Sequence, residues 1–228
     1  MLDRRYDHYE ALIFDMDGTL VDSGQLHEIG WRATLTEYGI PVDPGLMRSL
    51  AGVPTIGTLA FLIRHFGCSV GASLAEMNRF KEAVVRDHMA RHVRPTALAD
   101  IVRRYHGSKP MAVGTGANTE EARAILRICG LDGYFEHVVG ADQVTVPKPA
   151  PETFLRCAAL LDVAPARCVV FEDAALGLQA AASAGMDGVD VLHAHGIGND
   201  YFLSAGRAPR QPPITTFGNQ HAEPIGTT

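Results

Sequence analysis

The sequence predicts an α/β protein that has a parallel sheet and an inserted bundle of helices. Short apolar runs alternate with helical stretches over much of the chain, which is the pattern of strands joined by crossover helices. A long helical region after the first apolar run contains no strand, so we expect it to form a bundle outside the sheet. Polar and acidic residues follow the apolar runs, and a parallel sheet brings such strand ends to one edge.

The first predicted strand is the apolar run ALIF at residues 11–14, and four further runs come after the helical region. These are PMAV (110–113), HVV (137–139), CVVF (168–171) and GVDV (188–191). The helical stretches between them are ALADIVRRY, TEEARAILRIC, PETFLRCAALL and ALGLQAAASA. Each stretch is long enough for a crossover connection, so we expect all five strands in one parallel sheet.

Start and stop signals divide the long helical region into four helices. The first passes through LHEIGWRATLTEY and ends at Gly39, a residue type that terminates helices in the left-handed conformation. The predicted caps of the next three helices are Asp43, Thr55, and Ser73 in a capping box with Glu76. We expect Trp31 to lie in the core of this bundle.

The bundle interrupts the sheet domain. We expect an α/β core made of residues 1–22 and 93–192, a helical cap made of residues 23–92, and a hinge at each connection between them. Residues 193–228 are rich in Gly, Pro, Ala and Thr and show no period, which predicts an irregular tail on the surface.

Composition excludes several classes of function. An apolar fraction of 46% and a charged fraction of 20% are ordinary for a globular protein. A net charge of -6 without a Lys/Arg block disfavours nucleic acids and anionic membranes as partners. The start MLDRRYDHYE lacks the apolar segment of a signal peptide, and no run approaches the roughly 20 apolar residues of a membrane helix. We therefore expect a cytoplasmic protein. We also expect a monomer or weak dimer.

Acidic residues follow two of the predicted strands. Asp15 and Asp17 come after the first strand, and Glu172 and Asp173 come after the fourth. Up to four negative charges in one partly buried crevice require a cation, protonation, or both. A hard dication fits this requirement, and oxygen ligands select Mg²⁺ over zinc or copper.

Positive and polar groups complete a predicted site for a phosphate group. Lys148 lies between two prolines and adds one positive charge. The turn at residues 115–118 follows the second strand and opens a helix, whose first N–H groups can bind an oxyanion. The sequence therefore predicts metal-assisted chemistry on a small phosphate monoester.

These residues resemble the four motifs of the haloacid dehalogenase-like (HAD) hydrolase superfamily, whose core is Rossmann-like. DMDGT at residues 15–19 is similar to the DxDGT motif, and Thr115, Lys148 and Glu172-Asp173 are similar to the other three in order. The helical insertion resembles the cap of the β-phosphoglucomutase-like branch. The segments VGTG, KPAPETFLRCA, CVVFEDA and AAxAGMD resemble bacterial sugar-phosphate phosphatases of that branch, especially fructose-1-phosphate phosphatases.

The resemblance implies a role for each motif residue. Asp15 is the implied nucleophile, which attacks phosphorus to give an aspartyl-phosphate. Asp17 is the implied general acid and then general base. Thr115 and Lys148 are the implied ligands of the phosphoryl oxygens. The implied Mg²⁺ ligands are the Asp15 carboxylate, the Asp17 backbone carbonyl and Asp173, with Glu172 nearby, directly or through water.

The candidate substrate contacts come from the cap and from the turn after the second strand. His27 lies where mutase-like members carry a histidine that reaches the substrate, although a solvated helix histidine is the alternative. The segment LAGVPT at residues 50–55 resembles the cap loop that faces the leaving group, which makes Gly52 and Thr55 candidates. Gly116 and Asn118 are further candidates, and Asn118 caps its helix, contacts substrate, or does both.

The predicted function is a Mg²⁺-dependent phosphatase acting on a small sugar phosphate such as fructose 1-phosphate. Two alternatives stay open, a phosphosugar mutase and a catalytically idle scaffold that binds a metabolite or a protein. Mutases of this branch carry an arginine that binds a second phosphate at the position of Thr55. The absence of this arginine here favours a substrate with one phosphate.

Overall fold

A computed structural model of the chain describes residues 4–203. In chain order, the helices and strands are β1 (Ala11–Phe14), β2 (Val21–Asp22), α1 (Gly24–Glu37), α2 (Pro44–Ser49), α3 (Thr55–Phe66), α4 (Leu74–His92), β3 (Arg94–Pro95), α5 (Leu98–Tyr105), β4 (Met111–Gly114), α6 (Thr119–Ile128), β5 (His137–Val139), α7 (Glu152–Leu160), β6 (Cys168–Glu172), α8 (Ala175–Ser183), β7 (Asp187–Asp190) and α9 (Val191–His195).

Five of these strands form one parallel sheet in the order β5-β4-β1-β6-β7. The predicted α/β class is confirmed, and each predicted strand begins and ends within one residue of its observed bounds. Strand β1 occupies the centre, between β4 and β6. The residues that follow β1 therefore lie beside those that follow its two neighbours.

Both faces of the sheet are covered by helices. Along β1, Leu12 and Phe14 belong to one apolar cluster, to which α5 and α6 contribute. Ala11 and Ile13 belong to a second cluster, to which α7 and α8 contribute. All four residues of β1 are fully buried, as expected for a parallel strand packed on both sides. This packing fixes the position at which the chain leaves the strand.

A short antiparallel pair joins the two chain crossings between sheet and bundle, and sequence analysis missed it. Val21 of β2 pairs with Pro95 of β3, and Asp22 pairs with Arg94. The Arg94 Nη2 to Asp22 Oδ2 distance is 2.8 Å, but the Arg94 side chain is 78% exposed, so this ion pair adds little stability. The division into core and cap at these crossings stays a prediction.

Helices α1 to α4 pack around an apolar cluster that includes Trp31, which is 6% exposed. The predicted caps at Asp43 and Ser73 are confirmed, because their side-chain oxygens accept hydrogen bonds from the backbone N–H groups of Leu46 and Glu76. The prediction that Thr55 caps the third helix is wrong, because α3 begins at Thr55 and Pro54 occupies the cap position. The proline ring fixes φ of Pro54, here −54°, and its ψ of 144° is the extended value that suits a residue preceding a helix.

The prediction of an irregular surface tail at residues 193–228 is wrong for its first part. Helix α9 spans Val191–His195, and the Asp190 carboxylate caps its first turn. Further along, Tyr201 and Phe202 are buried in the apolar cluster of the bundle. The rest of the predicted tail, residues 204–228, lies outside the described residues.

None of the helices within residues 4–203 is both long enough and apolar enough to span a bilayer.

Candidate active site

Three carboxylates meet at the carboxyl ends of β1 and β6. The two strands are in parallel register, with Phe14 beside Phe171, so the residues that follow them emerge side by side. Asp15, Glu172 and Asp173 each offer an oxygen atom within 4.8 Å of the others. The convergence expected from the strand ends therefore occurs for these three side chains.

Lys148 lies between two of the carboxylates. Its Nζ donates to Asp15 Oδ1 at 2.7 Å and to Glu172 Oε2 at 2.8 Å. The Lys148, Asp15 and Glu172 side chains are 10%, 9% and 3% exposed, so little water screens these interactions. Burial would lower the pKa of Lys148, but the two carboxylates outweigh it and raise the pKa, which keeps the ammonium charged.

Crowding raises the pKa of the carboxyl groups. Burial, together with the charge of Asp15, raises the pKa of Glu172 to about 8 and that of Asp173 to about 7. Burial also raises the pKa of Asp15, although Lys148 opposes the rise. Without a further cation, the cluster therefore retains protons near neutral pH.

The fourth residue of the DMDGT segment, Gly18, must be glycine. Gly18 has φ +79°, a conformation that side chains other than glycine rarely adopt. A Cβ atom at this position would collide with the Asp173 carboxylate. The glycine of the DMDGT segment therefore permits the close approach of Asp173.

Asp17 is not part of the three-carboxylate cluster and instead contacts Ser23 and His27 at the start of the bundle. Its Oδ1 accepts a hydrogen bond from Ser23 Oγ at 2.7 Å and lies 3.0 Å from His27 Nε2. Burial alone would raise the pKa of Asp17, but His27 and Ser23 outweigh burial and hold the pKa below its usual range. Asp17 is therefore ionised in this arrangement.

The turn after β4 places its residues at the same edge of the sheet. Thr115 is 2% exposed, and its Oγ1 accepts a hydrogen bond from the Ala117 N–H at 3.1 Å. Asn118 occupies the cap position of α6 but makes no capping hydrogen bond, and its Nδ2 donates to Glu82 of α4 at 3.1 Å. Asp142 instead accepts from the Thr119 N–H at 2.7 Å. Asn118 thus links the sheet to the helical bundle.

A cavity of about 480 Å³ lies between the sheet edge and the bundle. Every residue that sequence analysis selects for the site lines it: Asp15, Asp17, His27, Gly52, Thr55, Thr115, Gly116, Asn118, Lys148, Glu172 and Asp173. A volume of this size is within the range of small-molecule sites. The catalytic, metal-binding and substrate-binding roles of these residues stay predictions.

Lys81, a buried lysine of α4 that lines the cavity, is not among the residues predicted from the sequence. It is 8% exposed, and its Nζ lies 5.0 Å from the centroid of the Trp31 ring. Burial lowers the pKa of Lys81, which the charges of Glu121 and Asp17 oppose. A signal exists in the sequence, because Lys81 lies four residues from Met77 and from Val85 on the buried face of α4.

Two further residues at the site had no usable sequence signal. Ser23 precedes α1 and has the residue type of a helix cap, but its hydroxyl group binds Asp17 and makes no capping bond. Asn199 lies in the predicted tail, yet its Nδ2 donates to Asp173 Oδ2 at 2.8 Å. Both contacts depend on tertiary packing.

The charge and chemistry of the cluster fit a divalent cation. Three carboxylates and one ammonium leave two negative charges when all are ionised. A dication balances that charge, and an all-oxygen set of ligands is the kind that Mg²⁺ accepts. The carboxylates could hold such an ion, because Asp173 and Glu172 retain oxygen lone pairs beyond their present hydrogen bonds.

Comparisons with known proteins agree with the geometry. A family model described as haloacid dehalogenase-like hydrolase matches residues 9–185. The fructose-1-phosphate phosphatase YqaB of Escherichia coli (strain K12) is 45% identical over 186 residues, which cover 82% of this chain and 98% of the relative. The β-phosphoglucomutase of Bacillus subtilis (strain 168) is 29% identical over 187 residues, which cover 80% of this chain and 83% of the relative.

A solved structure shares the fold. The crystal structure of CbbY from Rhodobacter sphaeroides in complex with phosphate aligns with a TM-score of 0.72 and 26% identity. The alignment covers 79% of this chain and 84% of that structure. These findings confirm the family resemblance and the prediction that the protein is an enzyme. The chain belongs to the haloacid dehalogenase-like hydrolases.

Proposed function

We propose that the protein is a Mg²⁺-dependent phosphatase that hydrolyses small sugar phosphates through an aspartyl-phosphate on Asp15. The observation that carries the proposal is the buried Asp15 carboxylate, 2.7 Å from Lys148 Nζ, at the wall of a cavity large enough for a sugar phosphate. The 45% identity of this chain to a fructose-1-phosphate phosphatase makes fructose 1-phosphate the first substrate to test. A cytoplasmic location and a monomeric or weakly dimeric state stay predictions.

The first half of the reaction uses Asp15 and Asp17. The Asp15 carboxylate attacks phosphorus, the bond from phosphorus to the sugar oxygen breaks, and Asp17 gives its proton to the departing alkoxide. Asp17 is ionised before substrate enters, so it must first gain a proton. A phosphate dianion beside it raises its pKa and favours that proton.

The second half regenerates the free Asp15 carboxylate and leaves a proton on Asp17, which is lost to solvent when phosphate departs. Asp17, now ionised, takes a proton from water while the water oxygen attacks phosphorus and displaces the Asp15 carboxylate as inorganic phosphate forms. Thr115 and Lys148 hold the phosphoryl oxygens. Bound Mg²⁺, held by the Asp15 carboxylate, the Asp17 backbone carbonyl and Asp173, with Glu172 nearby, would reduce the repulsion between carboxylate and phosphate.

The residues of α4 and α6 that line the cavity favour a leaving group with hydroxyl groups over one with a second phosphate. Glu82 and Glu121 line the cavity beside Lys81, and a second phosphate would meet the charge of Glu82 and the carboxyl group of Glu121, whose pKa is raised by burial and by Asp17. The Asn78 and Asn118 amides already donate to Glu82 Oε1, and such groups can exchange these bonds for sugar hydroxyls. This composition supports a phosphatase over a phosphosugar mutase.

Incubation of the purified protein with a panel of sugar monophosphates, with and without Mg²⁺, tests the proposal. We expect inorganic phosphate from fructose 1-phosphate only when Mg²⁺ is present, and no isomerised sugar phosphate from hexose 1-phosphates. Isomerisation without phosphate release would indicate a mutase. Failure to release phosphate from any monoester in the panel would favour a binding scaffold.

The Asp17→Asn variant should lose about 10²- to 10⁴-fold in kcat with a sugar phosphate, because the alkoxide departs without a proton. With p-nitrophenyl phosphate, whose leaving group needs no proton, we expect a rapid release of one nitrophenolate per enzyme molecule, followed by slow turnover. Stopped-flow absorbance measures this burst. Equal slowing of the first turnover with both esters would contradict a role for Asp17 as acid.

Mg²⁺ should stabilise the protein more at alkaline than at acidic pH. The pKa of Glu172 is raised to about 8 and that of Asp173 to about 7, so the folded protein retains protons that the unfolded chain has lost. The metal-free protein therefore loses stability as the pH rises from about 4 through these values. Mg²⁺ binds the deprotonated carboxylates and offsets this loss.

Melting temperatures with and without Mg²⁺, at about pH 5.5 and about pH 8, measure this effect. We expect a clear rise with Mg²⁺ at the higher pH and a small one at the lower. Asp173→Asn serves as the control and should remove most of the difference. A Mg²⁺ effect of equal size at both pH values would argue against binding by these carboxylates.

A further inference from the structure

Residues 197–203, which we term the strap, run from the sheet domain to the helical bundle. At its start, Ile197 is buried in the apolar cluster that covers one face of the sheet. Near its end, Tyr201 and Phe202 are buried in the cluster of the bundle, at 9% and 2% exposure. The family match ends at residue 185, so the strap lies outside it. It is a third chain connection, beyond the crossings at β2 and β3.

Side chains of α1 and α2 hold the bundle end of the strap through its backbone. The Arg48 guanidinium donates from Nη1 to the Tyr201 carbonyl at 2.6 Å and from Nη2 to the Asn199 carbonyl at 3.2 Å. Glu28 Oε2 accepts from the Phe202 N–H at 3.0 Å. These are charge-assisted bonds at a partly buried position, which are stronger than bonds between neutral groups.

At its centre the strap contacts a carboxylate of the cluster. Asn199 Nδ2 donates to Asp173 Oδ2 at 2.8 Å, and Asn199 Oδ1 accepts from the Tyr201 N–H at 3.0 Å. Thr19 Oγ1 donates to the other oxygen, Asp173 Oδ1, at 3.3 Å. The amide is thus fixed at both ends, and Asp173 has a donor on each oxygen.

We propose that Asn199 is a positioning residue that orients the Asp173 carboxylate for the metal, and that the strap couples this orientation to the position of the bundle. The inference depends on the Mg²⁺ site proposed above. Metal-binding carboxylates are commonly held by outer hydrogen bonds, and removal of such a bond typically costs 10- to 100-fold in affinity or activity. Arg48 then acts on the metal site only through the strap backbone.

Metal affinity, measured without substrate, shows whether Asn199 orients the Asp173 carboxylate or only attaches the strap to the sheet domain. Free Mn²⁺, a hard dication that accepts the same oxygen ligands, is counted by electron paramagnetic resonance during titration of the full-length protein. Mg²⁺ then displaces the Mn²⁺. We expect Asn199→Ala to weaken Mn²⁺ binding by about 10-fold or more. Arg48→Gln, which loosens the strap from the bundle, should weaken it to a smaller extent.

Leu203→Ala is the matched control within the strap. Its side chain is 55% exposed, and we expect this variant to bind Mn²⁺ as the wild type does. Thermal unfolding of each variant establishes that the proteins compared are folded. An Asn199→Ala affinity within twofold of the Leu203→Ala control would overturn the inference and leave the proposed phosphatase intact. Absence of Mn²⁺ and Mg²⁺ binding by the wild type would overturn the metal site and the inference together.

Discussion

The Asp15→Asn variant is expected to lose phosphatase activity by at least about 10⁴-fold while retaining its fold. An amide cannot form the acyl-phosphate, and Asp17, the other carboxylate of the motif, is engaged by Ser23 and His27. The amide oxygen can still accept the hydrogen bond from Lys148, and Glu172 still balances the Lys148 charge. The substitution also removes one charge from a crowded cluster, whose members have a raised pKa.

Steady-state phosphate release and thermal unfolding, measured on the same preparation, test this expectation. Asp100→Asn is the control for the chemical change, because that side chain is 84% exposed and pairs only with Arg103 within the described residues. We expect the control to match the wild type in both measurements. Trapping of acid-stable phosphate on Asp15→Asn, or turnover near that of the control, would contradict Asp15 as the nucleophile.

The sheet could be predicted because its signals are local. Apolar runs of strand length alternate with helical stretches, and each run ends within one residue of the point where its strand ends. The convergence of Asp15, Glu172 and Asp173 follows from the same reasoning, since β1 and β6 are adjacent and parallel. Parallel topology converts a linear pattern into a spatial cluster.

The strap could not be predicted from composition. Residues 193–228 average to a Gly- and Pro-rich segment, and this average conceals two adjacent aromatic residues, Tyr201 and Phe202. They are buried only because the bundle presents an apolar surface at that place.

Lys81 illustrates the converse case. It lies on the apolar face of α4, where a lysine indicates a buried cation, but its opposing charges come from Glu121 and Asp17 on other elements.

The Lys148→Met variant is expected to be inactive and also strongly destabilised. Lys148 compensates two carboxylates whose side chains are 9% and 3% exposed. Removal of one partner from a buried ion pair costs about 3–5 kcal/mol, because a charge is left without compensation. Methionine has a similar length and keeps the packing near Phe154, over whose ring the ammonium lies at 4.6 Å. The loss of stability in this variant therefore reflects the missing charge more than a change in side-chain volume.

Denaturant unfolding at two pH values distinguishes this electrostatic cause from a packing defect. Asp15 and Glu172 can take up protons when Lys148 is absent, so the destabilisation should be smaller at acidic pH and larger at alkaline pH. The double variant Lys148→Met/Glu172→Gln removes one of the two uncompensated charges and should recover part of the lost stability. A pH-independent loss without recovery in the double variant would mean that Lys148 stabilises the fold by packing. The cation would then be needed for phosphate binding alone.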